Sequence, residues 1–233
     1  MLLLAIPAAS DSIRRKPMRM KLLRWNLLCP ILALVALAAS AQELKPITLP
    51  KPQKEGGRPL MQVLSDRKST REFGAEKLSD QQLANLLWAA YGINRPDGHR
   101  TVPSAMNAQE LDLYVVTAEG VYLYDSKELV LTPVVAGDLR AKVSGQAYVK
   151  QAAINLVFVA DFARMVKAKP EERDFYAGID TGYVSQNVYL YCASEGLATV
   201  VYSIGDRAGL AKAMQLRPEQ KPILGQSVGQ PKK

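Results

Sequence analysis

The chain has 233 residues, 48% of them hydrophobic and 22% charged, which is material for one sizeable core and too little length for two comfortable domains. Its formal charge of +8 resembles a nucleic-acid signature. However, residues 1–41 hold six of the 30 Lys and Arg and a single acid, Asp11; the remainder carries about +3 with no basic stripe, which excludes that class. One histidine, His99, and two cysteines, Cys29 and Cys192, argue against a histidine-based metal centre and a Ser-His-Asp triad.

The N-terminus reads as a leader. Lys21 and Arg24 precede an apolar run from Leu27 to Ala38, followed by Ala39-Ser40-Ala41, the small-x-small pattern of a cleavage site. A signal peptide over residues 1–41 is expected, with Met20 an alternative start and the mature protein exported, to a periplasm. The apolar run is short for a bilayer span, so no stable span is expected after cleavage. Arg14-Arg15 is a twin-arginine pair in poor surroundings, which leaves the Sec and Tat routes both open. Cys29 would leave with the leader. Cys192, in an apolar helical stretch, reads as a small core residue, and the mature chain then has no internal disulfide.

Residues 42–57, with Pro46, Pro50, Pro52 and Gly56-Gly57, predict an extended arm leading into a domain over residues 58–233. A helix is expected near Pro59 to Leu64. Ser79 and Gln82 form a capping-box pattern that starts a second helix, with Leu83, Leu86, Leu87 and Ala90 as its apolar stripe and Gly92 as its stop. Residues 92–108 read as a loop. Leu111–Thr117 and Val121–Tyr124 flank a hairpin turn, and Leu129–Val135 extends the strand series. Ile154–Ala160 and Leu197–Ile204 read as buried strands. Between them, Glu171–Ser194 predicts a long helix ending at Gly196, with Asp180 and Asn187 on one face. Its apolar residues, Phe175, Ile179, Tyr183, Val188 and Leu190, point in several directions, as in a dimer core. A helix from Asp206 to Met214 and a short strand, Pro222–Val228, close the chain. The fold expected is α+β, a mixed, mainly antiparallel sheet flanked by helices on both sides.

Two segments concentrate chemistry. Arg67-Lys68-Ser69-Thr70-Arg71 gathers three cations and two hydroxyls, the donors a phosphate requires, although such pentapeptides are also common as solvated surface. Pro103-Ser104-Ala105-Met106-Asn107-Ala108-Gln109 combines small residues, which admit a planar ring, with an amide at Asn107 suited to the imide edge of a flavin; an ordinary capped polar loop would look similar.

In order and spacing, residues 67–73, Leu86-Leu87-Trp88-Ala89-Ala90-Tyr91-Gly92, residues 103–109, Asp180-Thr181-Gly182 with Gln186-Asn187, and Glu195-Gly196-Leu197 resemble the nitroreductase superfamily over residues 58–231. Trp88 to Arg95 followed by Arg100 to Ser104 is most similar to its SagB-type dehydrogenase branch.

The resemblance implies FMN bound at the interface of an intertwined homodimer. Arg67, Lys68 and Ser69 would hold the phosphate and ribityl chain, and Arg71 would lie at the pyrimidine side. Pro103, Ser104 and Asn107 would border the site, with Ser104 and Asn107 supplied by the partner. The turn at Ser203 and Ile204 would offer a backbone N–H near the flavin N5. Other family members place further basic residues after the Val-Gly-x-Pro segment; here Val228-Gly229-Gln230-Pro231 is followed only by Lys232-Lys233, so Lys232 either closes the phosphate site or that clamp is missing. No acid–base residue is identifiable, as suits hydride transfer by the flavin. Arg95, His99 and Arg100 would select an anionic substrate or are plain loop charges. The implied activity is an FMN-dependent oxidoreductase with a two-electron ping-pong cycle, acting on a small molecule with an unidentified electron donor. The alternatives are a non-catalytic flavin- or ligand-binding module and an exported interaction protein without cofactor.

Overall fold

The computed structural model describes residues 43–233, so the expected leader, the start at Met20 and Cys29 lie outside the described residues. Part of the arm joins the sheet: β1 (Ile47–Thr48) pairs antiparallel with β4, and Leu49 is buried beside it. Helix α1 (Leu60–Asp66) follows, then α2 (Asp80–Tyr91). The capping box of α2 forms as the sequence implies, because Ser79 Oγ accepts from the Gln82 amide while the Gln82 side chain accepts from the Ser79 amide.

Strands β2 (Leu111–Val116), β3 (Gly120–Asp125) and β4 (Val130–Ala136) form the antiparallel meander. Two short helices unassigned from sequence come next, α3 (Arg140–Val143) and α4 (Ala147–Gln151). Strand β5 (Ile154–Asp161), the 26-residue helix α5 (Pro170–Glu195), β6 (Ala198–Ser203), α6 (Arg207–Ala213) and β7 (Gln220–Gly229) complete the chain. The sheet order is β1-β4-β3-β2-β5-β7-β6. Every pairing among the described residues is antiparallel, the limiting case of the mainly antiparallel sheet expected.

Alternation along the central strands sorts the two cores. Leu156, Phe158 and Ala160 face α2 and α5 with Leu86, Leu87, Val184, Val188 and Cys192, while Val157 and Val159 face Val143, Val149, Leu210 and Met214 of α3, α4 and α6. β5 is therefore buried on both faces, which explains its unbroken apolar run. The last strand in sequence is longer than expected and lies inside the sheet, between β5 and β6. It spans Pro222, whose missing N–H is tolerated because the register with β5 shifts between Phe158 and Val159.

The long helix α5 divides into two faces. Its sheet-side residues are buried, but Phe175, Ile179 and Tyr183 are 67%, 38% and 46% exposed in the single chain. They lie four apart, along one stripe. Gly178 and Gly182 interleave with them, and a Cβ at either would meet only open space. Gly196, left-handed at φ 71°, stops the helix. Among the described residues no helix is long and apolar enough to cross a membrane.

Candidate functional site

The basic segment leaves α1 at Arg67, whose amide caps the helix on the Val63 carbonyl, and then runs along β6, where the Thr70 amide donates to the Thr199 carbonyl. Two aromatic side chains hold its odd positions. The Arg67 guanidinium lies 5.2 Å from the ring centre of Tyr189, and Arg71 lies 6.0 Å from that of Tyr148. Ser69 Oγ is 2.7 Å from the Tyr189 hydroxyl, which also accepts from the Val201 amide at 3.0 Å. Either hydroxyl can donate in this pair, and the exposed Ser69 hydroxyl keeps hydrogen-bonding capacity facing outward.

Lys68 and Thr70 instead line a cleft of about 490 Å3 that also includes Cys192, Thr199, Pro231 and Lys232. The C-terminal tail reaches it because Phe73 bridges Pro231 and the Lys232 amide donates to the Glu72 carbonyl. Tyr189 borders this cleft too and so joins both halves of the segment. Among the described residues, no carboxylate pairs with Arg67, Lys68 or Arg71, whereas Arg58 and Arg140 each have one and Arg164 and Arg217 each have two. Arg67 and Arg71 are thus held by aromatic rings rather than by carboxylates.

Ser203 ends β6 exposed, and Ile204 is buried in the core under α6. Asp206 then caps α6 on the Gly209 amide.

The second segment is a tight turn. Ser104 Oγ accepts from the Gln109 amide, and Met106, Asn107 and Gln109 all have positive φ, at 53°, 52° and 47°. Such a conformation costs a non-glycine residue roughly 1–2 kcal/mol, so the surroundings must hold it. They do so through Asp180, whose carboxylate accepts from the Ala105 amide at 2.8 Å. Asn187, two turns on and on the same face of α5, donates to the Ala89 carbonyl of α2 and, at 3.5 Å, to the Thr101 carbonyl of the loop. Pro103 and Asn107 are exposed; Asn107 Oδ1 accepts from Gln109 Nε2.

The two segments do not meet within one chain. One is tied to Asp180 and the other to Tyr189, nine residues along α5, which is about two and a half turns, opposite sides of the helix and about 13.5 Å of rise. The exposed Phe175–Ile179–Tyr183 stripe runs beside both.

The candidate substrate residues sit differently again. Arg95 is exposed on a turn, and the His99 amide and ring both face Asp97 Oδ1. Arg100 is built into the scaffold: it stacks on Tyr91 at 4.1 Å and donates to Gln109 Oε1, the Tyr91 carbonyl and Ser126 Oγ. Sequence reasoning missed Tyr189 and Tyr148, which carry no local motif and act through tertiary contacts. It also passed over Glu110, whose signal was available as an acid heading an apolar strand.

The comparisons agree with this architecture. A model of the nitroreductase family matches residues 64–230. A nitroreductase-type protein of Methanocaldococcus jannaschii is 32% identical over 180 residues, covering 73% of this chain and 90% of its own. A nitroreductase-type structure from Ralstonia eutropha is 41% identical, covers 82% of this chain and 91% of its own, and superposes with a TM-score of 0.78. The NADPH:FMN oxidoreductase of Vibrio harveyi, solved with NAD+, shares the fold at 23% identity and a TM-score of 0.55, over 75% of this chain and 69% of its own. With the meander, the long helix and the sequence match running from α1 to the last strand, the chain belongs to the nitroreductase family.

Proposed function

We propose that the mature chain is an exported, periplasmic FMN-dependent oxidoreductase, of the SagB-type dehydrogenase branch, working as a homodimer on a small molecule by a two-electron ping-pong cycle. The observation that carries this reading is the row of uncompensated cations on the Arg67–Arg71 segment, ordered by Tyr189 and Tyr148. A flavin phosphate fits that donor set: Arg67 and the outward Ser69 hydroxyl at the phosphate, Lys68 and Lys232 from the adjoining cleft, and Arg71 toward the pyrimidine edge. Bound FMN supplies the hydride-accepting and hydride-donating chemistry; the protein holds the ring, orients it and places positive charge beside it.

The opposite placement of Asp180 and Tyr189 supports a site completed by a second copy, whose Pro103, Ser104 and Asn107 would border the ring. The exposed stripe on α5, with Gly178 and Gly182 admitting close approach, suits that contact. Outside the inner membrane NAD(P)H is not freely available, so a quinol, another flavoprotein or substrate oxidation is the expected electron source.

An absorbance spectrum of the purified protein tests the reading first. A yellow protein, or one that turns yellow and quenches flavin fluorescence on adding FMN, supports it; a colourless protein that ignores FMN overturns it. The tail favours one alternative, a flavin-binding module without catalysis, since Lys233 faces Glu76 and only Lys232 reaches the phosphate cleft. Rapid reoxidation of the reduced protein by quinones or nitroaromatics selects the enzyme; slow reoxidation or FMN release selects the module.

A further inference from the structure

Glu110 leads into β2 with its side chain fully buried, and neither carboxyl oxygen meets a donor among the described residues. The group it does face is the Asp180 carboxyl, which is itself buried. Two facing carboxylates in a buried site repel, and they form a hydrogen bond only when one carries a proton. Asp180 is already spoken for as an acceptor, through the Ala105 amide, so the proton belongs on Glu110.

We propose that Glu110 and Asp180 are positioning residues that form a one-proton latch: protonated Glu110 donates to Asp180, which accepts the Ala105 amide and so fixes the turn carrying Ser104 and Asn107. For its effect on cofactor binding the latch rests on the flavin reading given above; as a property of the fold it does not. The strained residues Met106, Asn107 and Gln109 follow directly on that amide, and Glu110 closes the same turn, so both ends of the turn are tied to the pair.

The groups facing Glu110 are few. Asp180 comes from α5, Tyr91 from the end of α2, and Arg164 from the turn after β5. Arg164 offsets only a small part of the cost of charging the acid, because it donates to the Glu110 backbone carbonyl at 2.6 Å and pairs with Asp112 and Asp161. Arg100 lies against the Tyr91 ring and is committed elsewhere. Burial first, and the Asp180 charge with it, accordingly raises the Glu110 carboxyl from 4.5 to about 7. The folded protein thus holds a proton that the unfolded chain releases near 4.5, so this stabilisation is complete below 4.5 and lost as pH rises through about 7. Ionisation leaves two like charges in one buried site, and the turn loosens.

Glu110→Gln is the test, since its amide donates to Asp180 at every pH. Wild type and E110Q are compared for thermal stability and FMN affinity below and above pH 7. The wild type is expected to lose stability and about tenfold in FMN affinity across that range, and E110Q less than about twofold; titration of FMN itself is common to both. Parallel losses in the two proteins overturn the latch. Should E110Q fail to fold, the wild type still decides: at about pH 6, where ordinary carboxyls are ionised, it retains the infrared band of a protonated carboxyl, and absence of that band overturns the proposal. If neither protein binds FMN at any pH, the flavin reading fails, while the stability and infrared measurements still judge the latch.

Discussion

Arg67 has no carboxylate partner to lose, so Arg67→Ala removes one ring contact with Tyr189 and little stability. Its effect falls on the ligand: FMN binding is expected to weaken by at least about 1.5 kcal/mol, the scale of one charge-assisted contact. Unchanged affinity in a fluorescence titration would take Arg67 out of the site. Asn155 is the contrasting case, a buried residue with purely structural duty. Its Oδ1 accepts from the Tyr202 and Ser227 hydroxyls, and its Nδ2 donates to the Val149 carbonyl. Asn155→Ala strands three buried partners and is expected to cost about 2–4 kcal/mol, read by urea unfolding. At this scale the sequence was legible in kind but not in direction. Arg67, Ser69 and Arg71 could be picked out by type. That they turn to Tyr189 and Tyr148, while Lys68 turns to the cleft shared with Lys232, depends on how the segment lies along β6.

Helices announced themselves where local chemistry decides them. The box at Ser79 and Gln82 needs only residues three apart, and Ser79→Ala is expected to lower stability by about 1 kcal/mol in thermal melts. Helices α3 and α4 have four and five residues, too few for periodicity to show. Helix α5 was foreseen, yet its exposed stripe emerged only once the sheet had claimed the other side. Ile179→Glu should abolish dimerisation and, with it, FMN binding, as measured by sedimentation and flavin titration. A dimer that survives this change would mean that α5 does not form the contact.

Over the whole molecule, the described residues build one sheet with a core on each face. Cys192 lies fully buried between α5 and the sheet, and burial raises its thiol well above the usual range. It should resist thiol reagents in the native state and react at the rate of global opening, so its labelling tracks the denaturant midpoint. Fast labelling under native conditions would show that α5 separates locally from the sheet. What the sequence determined alone was whatever is encoded over a few residues: the alternating and unbroken apolar runs of the strands, the caps of α2 and α6, the glycine stop of α5, and the order of the family's motifs. Tertiary structure decided the rest. Only packing ties the turn over residues 103–109 to Asp180 and the Arg67–Arg71 segment to Tyr189, brings Pro231 and Lys232 beside Phe73, and buries Glu110 against a second acid. Each of these depends on which distant surfaces meet, and no local window of sequence contains that information.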